Sequence, residues 1–540
     1  MKKILFPILL AATFGTILSS CGSRKASQEA VARYEQLVPK PLTIEVTEGA
    51  FLLNSGASIG LLPDGKSSKK VAEYLAGMLK PATGIALDIQ EGNEKAAIVL
   101  ELGGDAAALG KEGYVLSVSG DQVKISAGTE AGLFYGIQTL RQLLPPSIEA
   151  SAPQQGPWEI AAGKITDKPV YGWRGSMLDV ARHFFGVDDV KRYIDHIAMY
   201  KMNILHLHLT DDQGWRIEIK SWPNLALHGG KTEVGGDKGG YYTQEQYKNI
   251  VAYAQSRFIT VIPEVDMPGH INSALASYGE LNGGTIVPEE GRVKVENNPI
   301  LDGKSKPTEL YTGTEVGWST LRLEKEATMK FVEDVVRELS AITPGPYMHI
   351  GGDEAHVTKK PDYIEFVNRF SKIVKANGKT MVGWEEIAQG NIDSAAIVQH
   401  WHEPNYARMG AEKGARILMS PSTRVYLDMQ YDSTSRIGLH WAAYIEADAA
   451  YNWDPATQVE GVDPEAVVGV EAPLWGETID SRADIDYLLF PRITAVAELG
   501  WSPAEKRSWE DYSTRIASHG ARWKQMGIGF YPSARIPWKN

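Results

Sequence analysis

Two carboxylates stand side by side in HIGGDEAH, residues 349–356: Asp353 and Glu354. Two glycines precede them, histidines flank them, and the preceding PYMHI reads as a short buried strand. Close carboxyl groups push each other's pKa values apart, so one can hold a proton while the other stays charged. That is general-acid chemistry beside a fixed anion. Glycosidases that use two opposed carboxyl groups hold them about 5–5.5 Å apart when retaining and about 6.5–9.5 Å apart when inverting. Neighbouring residues at one strand end approach a sugar from the same side, so a different division of labour fits. Glu354 protonates the leaving oxygen. The substrate's own 2-acetamido oxygen attacks, closing to an oxazolinium ion. Asp353 accepts a hydrogen bond from the acetamido N–H and stabilises the charge that develops there.

The elements that must position this pair follow from hydrophobic periodicity. From about residue 170, short apolar runs alternate with helical stretches. The runs are WRGSMLDV, MNILHLHL, FITVIPEVD, PYMHIG, TMVGW, AAIVQHW, ARILMS and VVGVEAPLW. Eight strand–helix alternations predict an α/β architecture, a (β/α)₈ TIM barrel over residues 166–540 closed by the helix WEDYSTRIASHGARWKQM. A doubly wound open sheet is the alternative, weakened because no glycine-rich phosphate fingerprint follows the early strands. Each strand end carries polar or aromatic groups: Asp179 and Arg182; His206, His208, Asp211 and Asp212; Glu264, Asp266 and His270; Asp353 and Glu354; Trp384, Glu385 and Glu386; His400, Trp401 and His402; Tyr426, Asp428 and Trp441; Trp475 and Glu477. Acids and tryptophans without a phosphate cradle point to a neutral hydroxylated substrate, a carbohydrate. His206 and His208, two residues apart, share one strand face and with nearby aspartates offer the competing zinc reading; the expectation is no metal and no cofactor.

Residues 38–165 read as a smaller supporting α/β domain. SKKVAEYLAGMLK sets Val71, Leu75, Met78 and Leu79 on one helical face, YVLSVSGDQVKIS reads as a hairpin around Gly120–Asp121, and TEAGLFYGIQTLRQLL as a helix stopped by Pro145 and Pro146. The chain of 540 residues, with 43% hydrophobic and 23% charged residues, is long enough for two or three domains. Its formal net charge of −12 argues against a nucleic-acid partner. The start, MKKILFPILLAATFGTILSSCGS, has the basic, apolar and small-residue regions of a secretory signal. Cys21, the single cysteine, follows LSS as in a bacterial lipobox, so residues 1–21 are expected to be a lipoprotein signal peptide and 22–37 a polar tether. A plain signal peptide with an incidental cysteine is the alternative. The lipoprotein reading predicts an exported, membrane-anchored protein in the periplasm or at the cell surface; oligomeric state is not legible.

HIGGDEAH resembles the signature of glycoside hydrolase family 20, the β-N-acetylhexosaminidases. So do GWRGSMLDVARHFF, NILHLHLTDDQGWR, PEVDMPGH, LYTGTEVGWSTL, VGWEE, YLDMQY and EAPLWGE, in order, from about residue 38 to beyond 500. The resemblance implies an exo-acting, retaining, substrate-assisted hydrolase of glycans or chitooligosaccharides ending in N-acetylhexosamine. It implies Glu354 as acid/base and Asp353 as the residue that orients the acetamido group. Tyr426 is then the hydrogen-bond donor to the acetamido oxygen, and Trp384, Trp401 and Trp475 wall its pocket. Arg174, Asp428 and Glu477 hold ring hydroxyls; Asp211, His270 and His349 form the polar network behind the acid; Trp441 lines the rim. The segment GGTIVPEEGRVKVENNPILDGKSKPTE departs from the family in length, leaving the leaving-group preference open. Two further readings stand beside this one. A chitinase-type site needs D-x-D-x-E, which is not found here, and a silent glycan-binding barrel would be expected to lose Glu354 or its partners.

Overall fold

The computed structural model describes residues 24–63, 67–288 and 305–539. Cys21, the signal segment and the middle of the departing loop lie outside the described residues.

The N-terminal domain is one seven-stranded mixed sheet. Its strands are β1 (Thr43–Leu53), β2 (Ser58–Leu62), β3 (Asp88–Glu91), β4 (Ile98–Leu102), β5 (Tyr114–Val118), β6 (Val123–Ala127) and β7 (Trp158–Asp167). They are ordered β1-β7-β5-β6-β4-β2-β3. β5 and β6 pair antiparallel across the Gly120–Asp121 turn, as alternation in YVLSVSGDQVKIS predicts. Helices Lys69–Thr83 and Glu130–Leu143 cover the sheet, and Thr129 caps the second by accepting from Gly132 N.

Eight parallel strands form the closed barrel: β8 (Trp173–Asp179), β9 (Ile204–His208), β10 (Thr260–Glu264), β11 (Tyr347–His349), β12 (Thr380–Trp384), β13 (Ile397–His400), β14 (Arg416–Met419) and β15 (Val467–Leu474). All eight fall inside the predicted runs. β15 pairs back to β8 in register, Val470 opposite Arg174 and Leu474 opposite Leu178, which closes the ring. Helices such as Val187–Ala198 and Glu326–Ile342 ring the barrel with one apolar face inward, Val190, Ile194 and Ile197 in the first and Phe331, Val335 and Leu339 in the second.

Two expectations change. The second half of the predicted tether is folded: Gln28–Ala32 is helical and Arg33–Gln36 makes a 3₁₀ turn. Ala30, Tyr34 and Val38 recur every four residues and are buried, and Tyr34 donates to Ala161 O at 2.9 Å. The closing helix is two helices, Trp509–Ile516 and His519–Gln525. Arg515 and Arg522 bind Leu37 O and Gln142 O, at 2.8 and 2.6 Å, so this segment fastens the barrel to the N-terminal domain.

Candidate active site

Asp353 and Glu354 follow β11 on a backbone that only glycine can supply. Gly351 has φ +65°, and a Cβ there would meet Asp266 Oδ1 at 1.8 Å. Gly352 N then donates to the same Asp266 oxygen at 2.9 Å, fixing the loop over the barrel mouth. Glu354 itself sits at φ 45°, and His270, its partner, at φ 49°. Two bulky residues in the left-handed region cost free energy, and such strain gathers where geometry serves chemistry.

His270 Nε2 lies 3.3 Å from Glu354 Oε2 and 3.7 Å from Asp353 Oδ2. Its Nδ1 faces Asp211 Oδ1 at 3.2 Å. Asp211 also accepts from His208 Nε2 at 2.8 Å and pairs with Arg182 at 2.9 Å. Arg182 is buried, bonds Asp179 at 3.1 Å and lies over the Trp475 ring, 4.9 Å from its centroid. Below them Glu264 pairs with His208 and gathers Trp384 Nε1 at 2.8 Å and His349 Nδ1 at 3.0 Å.

These groups open onto a cavity of about 200 Å³ lined by Arg182, His270, Thr314, Val316, Asp353, Glu354, Trp401, Tyr426, Asp428, Leu439, Trp441, Trp475 and Glu477. Trp401 stacks parallel to Tyr426, interplanar angle 13°, and Trp475 meets both Tyr426 and the underlying Trp384. Together they form an aromatic box around Asp353. Trp441, 54% exposed, stands edge-on at its lip. Asp353 Oδ1, both oxygens of Asp428 and Glu477 Oε2 are buried with no protein hydrogen-bond partner. Orphaned buried acceptors are expensive, and four in one cavity mark places for a ligand's donors. A larger crevice, about 910 Å³, lies at the other end of the barrel around Glu112, Trp173 and Tyr347, without an acid pair.

Electrostatics divide the two acids. Burial pushes Asp353 up, helped by the adjacent Glu354 charge and opposed by His270. Burial also acts on Glu354, but the His270 hydrogen bond and charge outweigh it and bring Glu354 below its ordinary value. Asp353 is thus raised and Glu354 lowered, the reverse of the order that an acid at Glu354 needs. Burial, then the neighbouring Glu477, pushes Asp428 well up.

The sequence-predicted residues assemble with one exception. Arg174 is at the start of β8, at the opposite end of the barrel, bidentate to Glu112 at 3.0 and 2.7 Å and bonded to Lys201 O and Tyr171 O. It holds no sugar; Arg182, at the other end of the same strand, occupies the pocket. The signal was available, because barrel sites form at strand C-termini and Arg174 precedes its strand's apolar run. Trp384, expected as a wall, packs under Trp475 and floors the aromatic box without lining the cavity itself, and His349 lies below it, behind the acid pair. Glu385 and Glu386, noted at their strand end in the sequence but given no role, hold Trp401: Glu385 accepts from Trp401 N at 3.1 Å and Glu386 from its Nε1 at 3.2 Å.

His206, Glu264 and His349 converge closely enough to suit a cation, as do Asp266, His270 and Asp353. Among the described residues His206 and His208 do not share one such group: His206 converges with Glu264 and His349, and His208 with Asp211 and Asp266. Although burial opposes it, the carboxylates of Glu264 and Glu471 raise His206 to about 9, and Glu264 and Asp211 raise His208 well above its ordinary value.

The comparisons agree with this geometry. The glycosyl hydrolase family 20 catalytic domain matches residues 171–504 and domain 2 of that family matches residues 34–168. A β-N-acetylhexosaminidase of Cellulomonas fimi is 38% identical over 507 residues, 93% of this chain and 97% of that protein. A β-hexosaminidase of Porphyromonas gingivalis is 32% identical, covering 98% of this chain and 69% of that protein. Among solved structures, a mutant Streptomyces plicatus β-hexosaminidase in complex with product (GlcNAc) superposes with TM-score 0.87 at 47% identity, over 94% of this chain and 98% of that one. With a sheet domain ahead of a barrel, and an acid pair on its fourth strand, the chain belongs to glycosyl hydrolase family 20.

Proposed function

We propose that this enzyme is an exo-acting, retaining β-N-acetylhexosaminidase that removes terminal N-acetyl-β-D-hexosamine from glycans or chitooligosaccharides. The carrying observation is Asp353 Oδ1, buried and unpartnered inside the box of Trp384, Trp401, Tyr426 and Trp475. An acetamido group suits that box, its methyl against the rings and its N–H toward the orphaned oxygen. Tyr426 donates to the acetamido oxygen and turns it toward the anomeric carbon. Asp428, Glu477 and Arg182 take the ring hydroxyls and close the far end, so only a chain terminus enters.

Binding reverses the order of the two carboxyls. Once the acetamido N–H donates to Asp353, the ionised form of that carboxyl gains a partner and its pKa falls. A fresh charge beside Glu354 favours the protonated acid there, replacing the hold of His270. Glu354 then protonates the glycosidic oxygen as the acetamido oxygen attacks. Water opens the oxazolinium ion with Glu354 as base, and two inversions give retention. The test is hydrolysis of p-nitrophenyl N-acetyl-β-D-glucosaminide against the matching glucoside, for wild type and Asp353→Asn. The acetamido sugar alone should be cleaved, with the variant about 10²- to 10³-fold slower in kcat. Comparable cleavage of both sugars defeats the reading.

We also propose export and lipid anchoring through Cys21, supported by the basic start, apolar run and LSSC of the leader. Among the described residues no helix is long and apolar enough to cross a membrane. Labelled fatty acid should enter the wild-type chain and not Cys21→Ala, whose product should leave the membrane fraction. Equal labelling of both contradicts it.

A further inference from the structure

The acid's contact with His270 is the first of six in a line of buried groups that runs through the barrel. Glu354 faces His270 at 3.3 Å, and His270 faces Asp211 at 3.2 Å. Asp211 accepts from His208 at 2.8 Å, and His208 pairs with Glu264 Oε2. The same Glu264 oxygen lies 3.0 Å from His206 Nε2, and His206 Nδ1 is 2.8 Å from Glu471 Oε1. Glu471 is then held by Trp173 Nε1 at 2.9 Å and Gln399 Nε2 at 2.9 Å, and Trp173 lines the crevice at the other end. Gly175 makes the room: a Cβ there would meet Glu471 Oε2 at 2.4 Å. Carboxylate and imidazole alternate along the column within ion-pair distance, although His206 Nε2 and His270 Nε2 face their carboxylates without hydrogen-bond geometry. A TIM barrel normally fills this space with branched apolar side chains, and a buried pair is no more stabilising than they are.

We propose that the lower half of this column, His206 and Glu471 above all, are positioning residues for the reaction, fixing through His208 and Asp211 the ring orientation and charge of His270 against Glu354. Neither touches the substrate cavity. His206 is faced by Glu264 from β10, Glu471 from β15 and the His349 ring from β11, whose centroid lies 4.4 Å away. His208 is faced by Glu264 and Asp211, with Asp179 nearby. His270 is faced by Asp211, Asp353 and Glu354, with Asp212 and Asp266 close by. Each imidazole is held charged by the carboxylates around it, so removing Glu471 weakens the hold on the His206 proton first.

The test rests on the hexosaminidase reading above and uses the full-length chain with p-nitrophenyl N-acetyl-β-D-glucosaminide. Profiles of kcat/KM against pH are taken for wild type, Glu471→Gln, His206→Gln and the double variant. Glu471→Gln keeps shape and hydrogen bonding but removes the charge. His206 then loses its proton at lower pH, so the alkaline limb should move down, with kcat reduced roughly two- to thirtyfold. N-acetylglucosamine inhibition should be unchanged, and the double variant should cost no more than the worse single. Unmoved pH limbs in variants that bind N-acetylglucosamine normally overturn the proposal, as do losses that only follow the folded fraction. A Glu471→Gln that fails to fold leaves His206→Gln to decide by the same limb. If wild type leaves the substrate uncut, it is the hexosaminidase reading that fails, before any variant is compared.

Discussion

Burial pushes Asp353 up while His270 brings Glu354 down, and an acetamido N–H on Asp353 acts on both in the opposite direction. The two carboxyls are adjacent, so the pH dependence of kcat/KM reports the pair rather than either residue. The expected profile is a bell. Its acid limb is the pair taking up protons, and its alkaline limb is the pair becoming fully ionised or the histidine column behind it losing its charge, whichever comes first. Because burial pushes Asp353 up, the alkaline limb should lie above the ordinary carboxylate range. Asp353→Asn leaves Glu354 alone with His270, which holds it low, so the alkaline limb of the residual activity should move down. A limb unmoved in that variant would mean that the pair does not set it. Arg182 makes the second residue-scale case. Its guanidinium is fixed by Asp179 and Asp211 and presses on Trp475, so Arg182→Lys keeps the charge and loses the fork. Loss of one charge-assisted contact predicts kcat/KM about 10- to 100-fold lower, read on the same chromogenic substrate.

At the scale of elements, the loop after β11 does the most with the fewest residues. Gly351→Ala adds one carbon where Asp266 already stands, at a φ that L-residues resist. The loop must move, carrying Asp353 and Glu354 with it, while the barrel strands below keep their pairing. The expectation is nearly unchanged secondary structure by circular dichroism with kcat lowered at least tenfold, since small misplacements of catalytic groups are costly. Near-wild-type kcat would show that the loop has slack. The strands of this barrel were legible because parallel strands covered on both faces read as continuous apolar runs, and their polar ends stand out in contrast. The helix at Gln28–Ala32 was hidden by its polar exterior, though Ala30, Tyr34 and Val38 already mark an apolar face in the sequence. The split of the closing helix lies between Ile516 and His519 and carries no local signal. It is set by contacts from elsewhere in the chain, such as His519 Nε2 with Gln36 O at 3.0 Å.

For the whole molecule, the misassigned arginine is the informative one. Arg174 and Arg182 sit in one motif, eight residues apart, and β8 spans the barrel between them. One end of that strand serves the substrate; the other is an interdomain clamp. Arg174 is fully buried, bidentate to Glu112 and lies beside Trp501 and Tyr135, its guanidinium carbon 5.0 and 5.6 Å from their ring centroids. The Glu112 side chain is 20% exposed. The asymmetry predicts an order. Glu112→Leu strands a buried cation, with only Lys201 O and Tyr171 O left as partners, and should cost about 3 kcal/mol or more. Arg174→Met strands a carboxylate that water can reach and should cost less. The double variant, with apolar atoms on both sides, should be the most stable of the three. Thermal unfolding midpoints would rank them, and KM for the chromogenic substrate should stay at the wild-type value throughout, because the clamp lies a barrel's length from the pocket. A rise in KM for Arg174→Met would instead return Arg174 to the site; an inverted order of midpoints would mean that Glu112, not Arg174, is the group whose burial the interface depends on.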